Sequence, residues 1–203
     1  MFGFEFSSYK TTQLFFGDVP TIIIKDYYHY GNCDLVKQKY NDSEVYNNNW
    51  ECKLISLQLS KTHQKIREVI SVIFSLNTSS LVLPYHLLPK IKIEYQEMLD
   101  QGTCWIDSNQ NVSSLFCSVS QSIPTLVIDF YQWRVTFPER ILKSKSYFHY
   151  YKIMSFQQDQ ENLIFSLDLL KYFTLVFDKE NNQVWFYNSQ FVRYIGRGKI
   201  KIP

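Results

Sequence analysis

Apolar residues recur at every second position in segment after segment of this chain. Only an extended strand turns that spacing into one buried face. Phe2-x-Phe4-x-Phe6 opens the pattern, Trp50, Cys52 and Leu54 repeat it, and Trp133-x-Val135-x-Phe137 repeats it again. The supply of side chains agrees, because aromatic residues reach 17%, with 16 Phe and 15 Tyr, while Gly and Pro number only 6 each. Such a composition favours strands and excludes a disordered or collagen-like chain. The 203 residues suffice for one domain with a substantial core.

Further strands are expected at Leu14–Gly17, Thr21–Ile24, Val69–Phe74, Ile123–Phe130 and Tyr147–Phe156. Trp50–Leu59 reads as a strand with a bulge or turn near Ser56. Phe173–Phe177 and Gln183–Tyr187 flank a polar turn in a hairpin pattern. Residues 41–49 are expected to be a polar loop, and the Cys104–Cys117 segment another. Pro84–Leu99 changes to helical spacing, with Pro84 suited to a first turn and Pro89 expected to divide or kink the helix. Leu163–Tyr172 is a short apolar segment, and Pro138–Leu142 a single helical turn. The expected organisation is one β-rich domain over 1–190 and a basic tail over 191–203.

Net charge is +2, with Lys and Arg dispersed, so the footprint of a nucleic-acid binder is missing. No apolar run is long enough to cross a bilayer, and Met1–Phe6 is not a signal peptide. No CxxC pair occurs and the four His do not cluster with the Cys, which argues against a metal site, and no cofactor is expected. Cys104 and Cys117 bracket a turn-like stretch and can close a small disulfide loop; Cys33 and Cys52 likewise bracket an Asn-rich stretch. Sequons at Asn41, Asn77 and Asn111 fit a glycosylating, secretory or extracellular setting, although Asn- and Ser-rich chains also generate sequons by chance.

Six segments, in order, resemble the C-terminal half of the pepsin-like aspartic proteases. Phe4-x-Phe6 followed by Leu14-Phe-Phe-Gly17-Asp18 resembles the family's strand and its L-x-F-G-G-x-D turn, and Trp50-Glu-Cys-Lys-Leu54 its W-x-V-x-L strand. Ile73-Phe-Ser-Leu-Asn-Thr-Ser-Ser-Leu-Val-Leu-Pro84 is similar to I-x-D-T-G-T-S-x-L-x-L-P. Ile123-Pro-Thr-Leu-Val-Ile128 resembles L-P-x-I-x-F, and Phe137-Pro138 with Ile141-Leu142 the segment after it. Ile164–Phe186 is similar to the family's I-L-G-D to V-F-D-x-E-N stretch, carried by Val176-Phe-Asp178 and Glu180-Asn-Asn182. The likeness spans residues 2 to about 187, and implies a mainly β, pepsin-like C-lobe: a closed or partly open barrel with a few short helices.

The departures govern the expected function. In that family one aspartate per lobe shares a proton and activates water. The resemblance sets Ser75 at the aspartate, Leu76 at the Thr and Asn77 at the Gly, with only Thr78 and Ser79 retained. I-L-G likewise becomes Ile164-Phe165-Ser166. A Ser hydroxyl cannot share a proton as a carboxyl does. No D-T-G or D-S-G occurs, and the chain is expected to start where an N-terminal lobe would end. Asp107-Ser108-Asn109 lacks the flanking strand and reads as loop. Ser75 as a nucleophile would need a base that the sequence does not supply. His86, Asp168 and Asp178 read as structural, and Tyr147–Tyr151 as a packed strand rather than a sugar- or peptide-stacking surface.

The expectation is therefore a catalytically inactive, protease-like protein acting as a structural or interaction component, its inter-lobe face covered by a protein partner or a second copy. The alternatives are an aspartic endopeptidase lobe needing an N-terminal lobe, and a peptide- or glycan-binding module using the relic cleft.

Overall fold

Period-two segments become strands along most of the chain. The computed structural model describes residues 2–6, 12–17, 30–40, 43–46, 50–61, 65–67, 71–75, 77–78, 80–143, 146–147, 149–170, 172–187 and 192–194. Three main sheets share the core. The first is antiparallel, with strands in the order β2 (Thr12–Phe16), β1 (Phe2–Phe6), β18 (Thr174–Asp178), β19 (Gln183–Tyr187) and β3 (Tyr30–Asp34). The second is mixed: β11 (Cys104–Ser108), β12 (Val112–Ser118), β16 (Tyr150–Gln157), β10 (Leu81–Pro84), β17 (Leu163–Phe165), β9 (Ser71–Phe74) and β6 (Glu51–Lys53), with β15 (Ser146–Tyr147) also on β16. The third runs β20 (Val192–Tyr194), β14 (Trp133–Phe137), β13 (Leu126–Asp129), β7 (Ser56–Leu59) and β8 (Lys65–Ile66). The fold is mainly β, as the alternation implies.

Among the described residues no sheet closes on itself, so of the closed or partly open barrel expected the closed form is not found: each order ends in two strands that do not pair with one another. The reason lies in how the chain changes sheet. Trp50–Leu59 is not one strand, for β6 joins the second sheet and β7 the third, the break falling at Leu54 and Ile55. Residues 41–49 are not simply loop, because β4 (Lys37–Tyr40) and β5 (Ser43–Tyr46) form a hairpin. The Cys104–Cys117 segment is likewise a hairpin rather than a loop, with Cys104 directly opposite Cys117. At the head of the stretch read as a tail, Val192–Tyr194 pairs with Trp133–Val135. Thr21–Ile24 lies outside the described residues.

The core sits where the three sheets meet, and it is aromatic. Phe74 packs its ring against Phe165, Phe177 and Phe186, and Phe137 against Phe165 and Phe173. Most of these contacts are edge-on or tilted, the arrangement that ring quadrupoles favour. Two disulfides reinforce the sheets: Cys104–Cys117 ties β11 to β12, and Cys33–Cys52 ties the edge of the first sheet to that of the second.

Pro84 precedes a 3-10 turn (Tyr85–Leu87), and Pro89 stands in the first turn of α1 (Leu88–Asp100). Pro89 therefore starts the helix instead of breaking it, because a first-turn N–H has no intrahelical acceptor to lose. Leu88, Ile91, Tyr95 and Met98 form its buried stripe. Short helices α2 (Glu139–Leu142) and α3 (Leu167–Leu170) complete the described set. No helix among the described residues is long and apolar enough to cross a membrane.

Tyr95 is fully buried, and its hydroxyl has no hydrogen-bond partner among the described residues. Burial, with Glu94 and Glu139 adding to it, pushes that hydroxyl well above its ordinary pKa. An unpaired buried hydroxyl is a standing cost, so Tyr95→Phe is expected to stabilise the protein by about 1 kcal/mol. Urea denaturation measures it, and a destabilised variant would mean that the hydroxyl has a partner after all.

Candidate functional site

The two sequence segments with the most informative departures are brought side by side. Strand β17 lies between β9 and β10, parallel to β9 and antiparallel to β10. Ser75, directly after β9, therefore lies at the end of β17. Ser75 N–H donates to the Phe165 carbonyl at 2.9 Å, and Asn77 N–H donates to Ser75 Oγ at 3.3 Å. Behind the loop, Ser80 Oγ lies 3.3 Å from Ser155 Oγ, which lies 3.3 Å from Ser114 Oγ.

This loop is chemically neutral. Ser75 is half-buried, Asn77 is exposed, and Leu76 and Ser79 lie outside the described residues. Thr78 Oγ1 and Ser166 Oγ are buried, without hydrogen-bond partners among the described residues. Each such hydroxyl costs roughly 1–3 kcal/mol in lost hydration. The described bonds of Ser75 bring it neither a carboxylate nor an imidazole, and His86 and His149 stand exposed on other elements. Hydroxyls and a carboxamide can donate and accept hydrogen bonds, but they hold no proton that could be shared near neutral pH.

The remaining candidates fall elsewhere. Asp178 is buried and accepts from Asn181 N at 3.1 Å and Asn181 Nδ2 at 2.6 Å, so it shapes the β18–β19 turn. Asp168 is partly buried in the first turn of α3, and Asp107 is exposed on β11. Tyr150 packs edge-on against Trp105 and Phe116, while the Lys143 ammonium lies over Tyr151. Asn111 is exposed at the tip of the β11–β12 hairpin; Asn41 lies outside the described residues.

Two polar groupings carry no local sequence signal. Asp129, only 4% exposed, accepts from Arg134 Nε at 2.7 Å and Nη2 at 3.1 Å and from Ser56 Oγ at 3.1 Å, with Lys65 Nζ 3.8 Å away. Burial raises its pKa, but Arg134, Ser56 and Lys65 together outweigh that and hold the carboxyl below its ordinary value. A register in which Arg134 faces Asp129 across the β13–β14 hairpin would have revealed the pair. The second grouping centres on buried Glu51, whose Oε1 lies 2.5 Å from Ser71 Oγ; that hydroxyl is also 2.6 Å from Asn162 Oδ1. One hydroxyl proton cannot serve two acceptors. Turning the Asn162 carboxamide lets its amide donate to Ser71 while Ser71 donates to Glu51.

Glu51 and Ser71 reach a cleft of about 1100 Å³ between the first two sheets, which the tip of the β13–β14 hairpin also lines. The loop at Ser75 does not line it. Trp133 Nε1 donates to Asn32 Oδ1 there at 2.9 Å, and Gln183 Nε2 donates to Asp34 Oδ1 at 2.9 Å. Among the described residues no three His, Cys, Asp or Glu side chains gather as a metal-binding set. No protein-family model matches the chain, and none of the curated proteins compared with it is significantly similar.

Proposed function

We propose that the chain is a catalytically inactive relative of the pepsin-like aspartic proteases, serving as a structural or interaction component. One observation carries the reading: Ser75, at the resemblance's aspartate, bonds the backbone beside Ser166, at its glycine. Two segments matched independently in sequence thus meet at one loop, and that loop has hydroxyls where the reaction needs a carboxyl. An organising scaffold with its acid removed is left to bind or to support.

The interaction half of the reading is supported by β2, which ends the first sheet among the described residues. Leu14 and Phe16, two residues apart on that strand, are 51% and 75% exposed. An open edge with apolar side chains on one face is a template for association. The purified chain is expected to run in light scattering as an oligomer or with a co-purifying protein, and Phe16→Glu to return it to monomer. A monomer at micromolar concentration, unaffected by that substitution, would sink the interaction half.

A further inference from the structure

We infer that the cleft between the first two sheets is a binding site for a neutral oligosaccharide. This cleft stands apart from the protease-like reading, because no described residue of the Ser75 loop lines it.

The lining chemistry selects the ligand class. Asn32, Gln132, Asn181, Asn182 and Gln183 line one cleft. The carboxamides of Asn32, Asn181 and Gln183 each make one bond within the protein, to Trp133, Asp178 and Asp34, leaving their other groups for a ligand. A carboxamide offers a donor and an acceptor side by side, which matches vicinal sugar hydroxyls, each able to do both. Charge contributes little to selection: among the described lining residues, Lys53 stands against Asp34 and Glu51, a small negative excess. Asp34 accepts from Gln183 and Glu51 from Ser71, bonds that orient both carboxylates without removing their charge. A single lysine is a poor basis for binding a phosphate or carboxylate.

At the rim stands Tyr131, 80% exposed on the β13–β14 hairpin tip, with Ile55 half-exposed near it on the lining. A phenol ring held in water at the mouth of a polar cleft provides a flat apolar face for the C–H face of a pyranose, and keeps its hydroxyl for hydrogen bonding. The volume, about 1100 Å³, accommodates several sugar units rather than one.

The walls are also held in place. The Cys33–Cys52 disulfide fixes two of the lining elements, and the Trp133–Asn32 and Gln183–Asp34 bonds orient two of the carboxamides before any ligand arrives. Preorganisation of this kind reduces the ordering cost of binding. An extended peptide fits less well, since strand addition needs open backbone. Leu35 N–H is already given to the Asn182 carbonyl and Val36 N–H to the Glu51 carbonyl, at 2.9 and 2.7 Å.

Isothermal titration of the full chain with cellotetraose, chitotetraose, maltotetraose and mannotetraose tests the assignment. At least one is expected to bind with submillimolar affinity, weakened about fivefold or more by Tyr131→Ala and about threefold by Gln132→Ala. Both residues are exposed at a hairpin tip, so the variants keep their fold, and far-UV circular dichroism verifies this. Three results would overturn the inference: no heat from any of the four sugars at about 10 mM, well above the Kd expected here; binding that neither substitution weakens; or Tyr131-dependent binding of a capped decapeptide with none of a sugar.

Discussion

Phe186→Ala is expected to destabilise the protein by about 3–5 kcal/mol, the largest effect of any single substitution considered. Phe186 is almost completely buried, and its ring meets those of Phe74, Phe130 and Phe173. These neighbours come from three separate places in the chain, Phe74 on β9, Phe130 just after β13 and Phe173 just before β18, so the gap left by truncation has no single element that can move in to fill it. A domain of this size has roughly 5–15 kcal/mol of stability in total, so the variant should lose a large share of it. Phe16→Ala is the control: a ring 75% exposed should cost little within one chain. Urea denaturation of both variants makes the comparison. A loss at Phe186 no greater than at Phe16 would mean that the aromatic junction is not the core.

The second large effect is electrostatic and asymmetric. Arg134→Ala is expected to cost about 3 kcal/mol, because it leaves the Asp129 carboxylate buried with only Ser56 and a more distant Lys65. Asp129→Asn should cost less, about 1–2 kcal/mol, since the Arg134 side chain is 36% exposed and can turn to water. The pH dependence follows from the lowered folded pKa of Asp129. Between the folded and unfolded values the unfolded chain binds the extra proton, so stability rises with pH there. The contribution is complete above the ordinary carboxyl value of about 4, and is lost as pH falls through the depressed folded value. The difference between wild type and Arg134→Ala should therefore be full at neutral pH and shrink in acid. A difference that grows in acid would contradict the assignment.

What could be read from sequence divides along a physical line. Period two marks a strand wherever it occurs, so β1, β14 and the β18–β19 hairpin are legible directly, and Asp178 with Asn181 and Asn182 marks the turn of that hairpin. The same period is blind to partnership. Trp50–Leu59 alternates as though it were one strand, yet its halves serve two sheets. Residues 43–46 (Ser-Glu-Val-Tyr) carry no sustained period-two apolar pattern and still form a strand, paired with β4. Pairing of β9 with β17 joins segments that no local pattern relates, and it alone brings Ser75 to Phe165. The cleft was the least legible part. Its residues come from several strands and turns, polar ones mixed with Leu35, Val36 and Ile55, and only the assembled sheets make them one surface.

Aspartic-type hydrolysis needs two carboxyls sharing a proton, and the Ser75 loop provides hydroxyls and a carboxamide in the position that the resemblance assigns to one of them. The most direct test incubates the full chain with a denatured protein substrate at acid pH, with and without pepstatin, and follows new amino termini. No cleavage above a buffer control is expected in either arm. Cleavage that pepstatin abolishes would contradict it, and would require the missing carboxyl to come from somewhere other than Ser75.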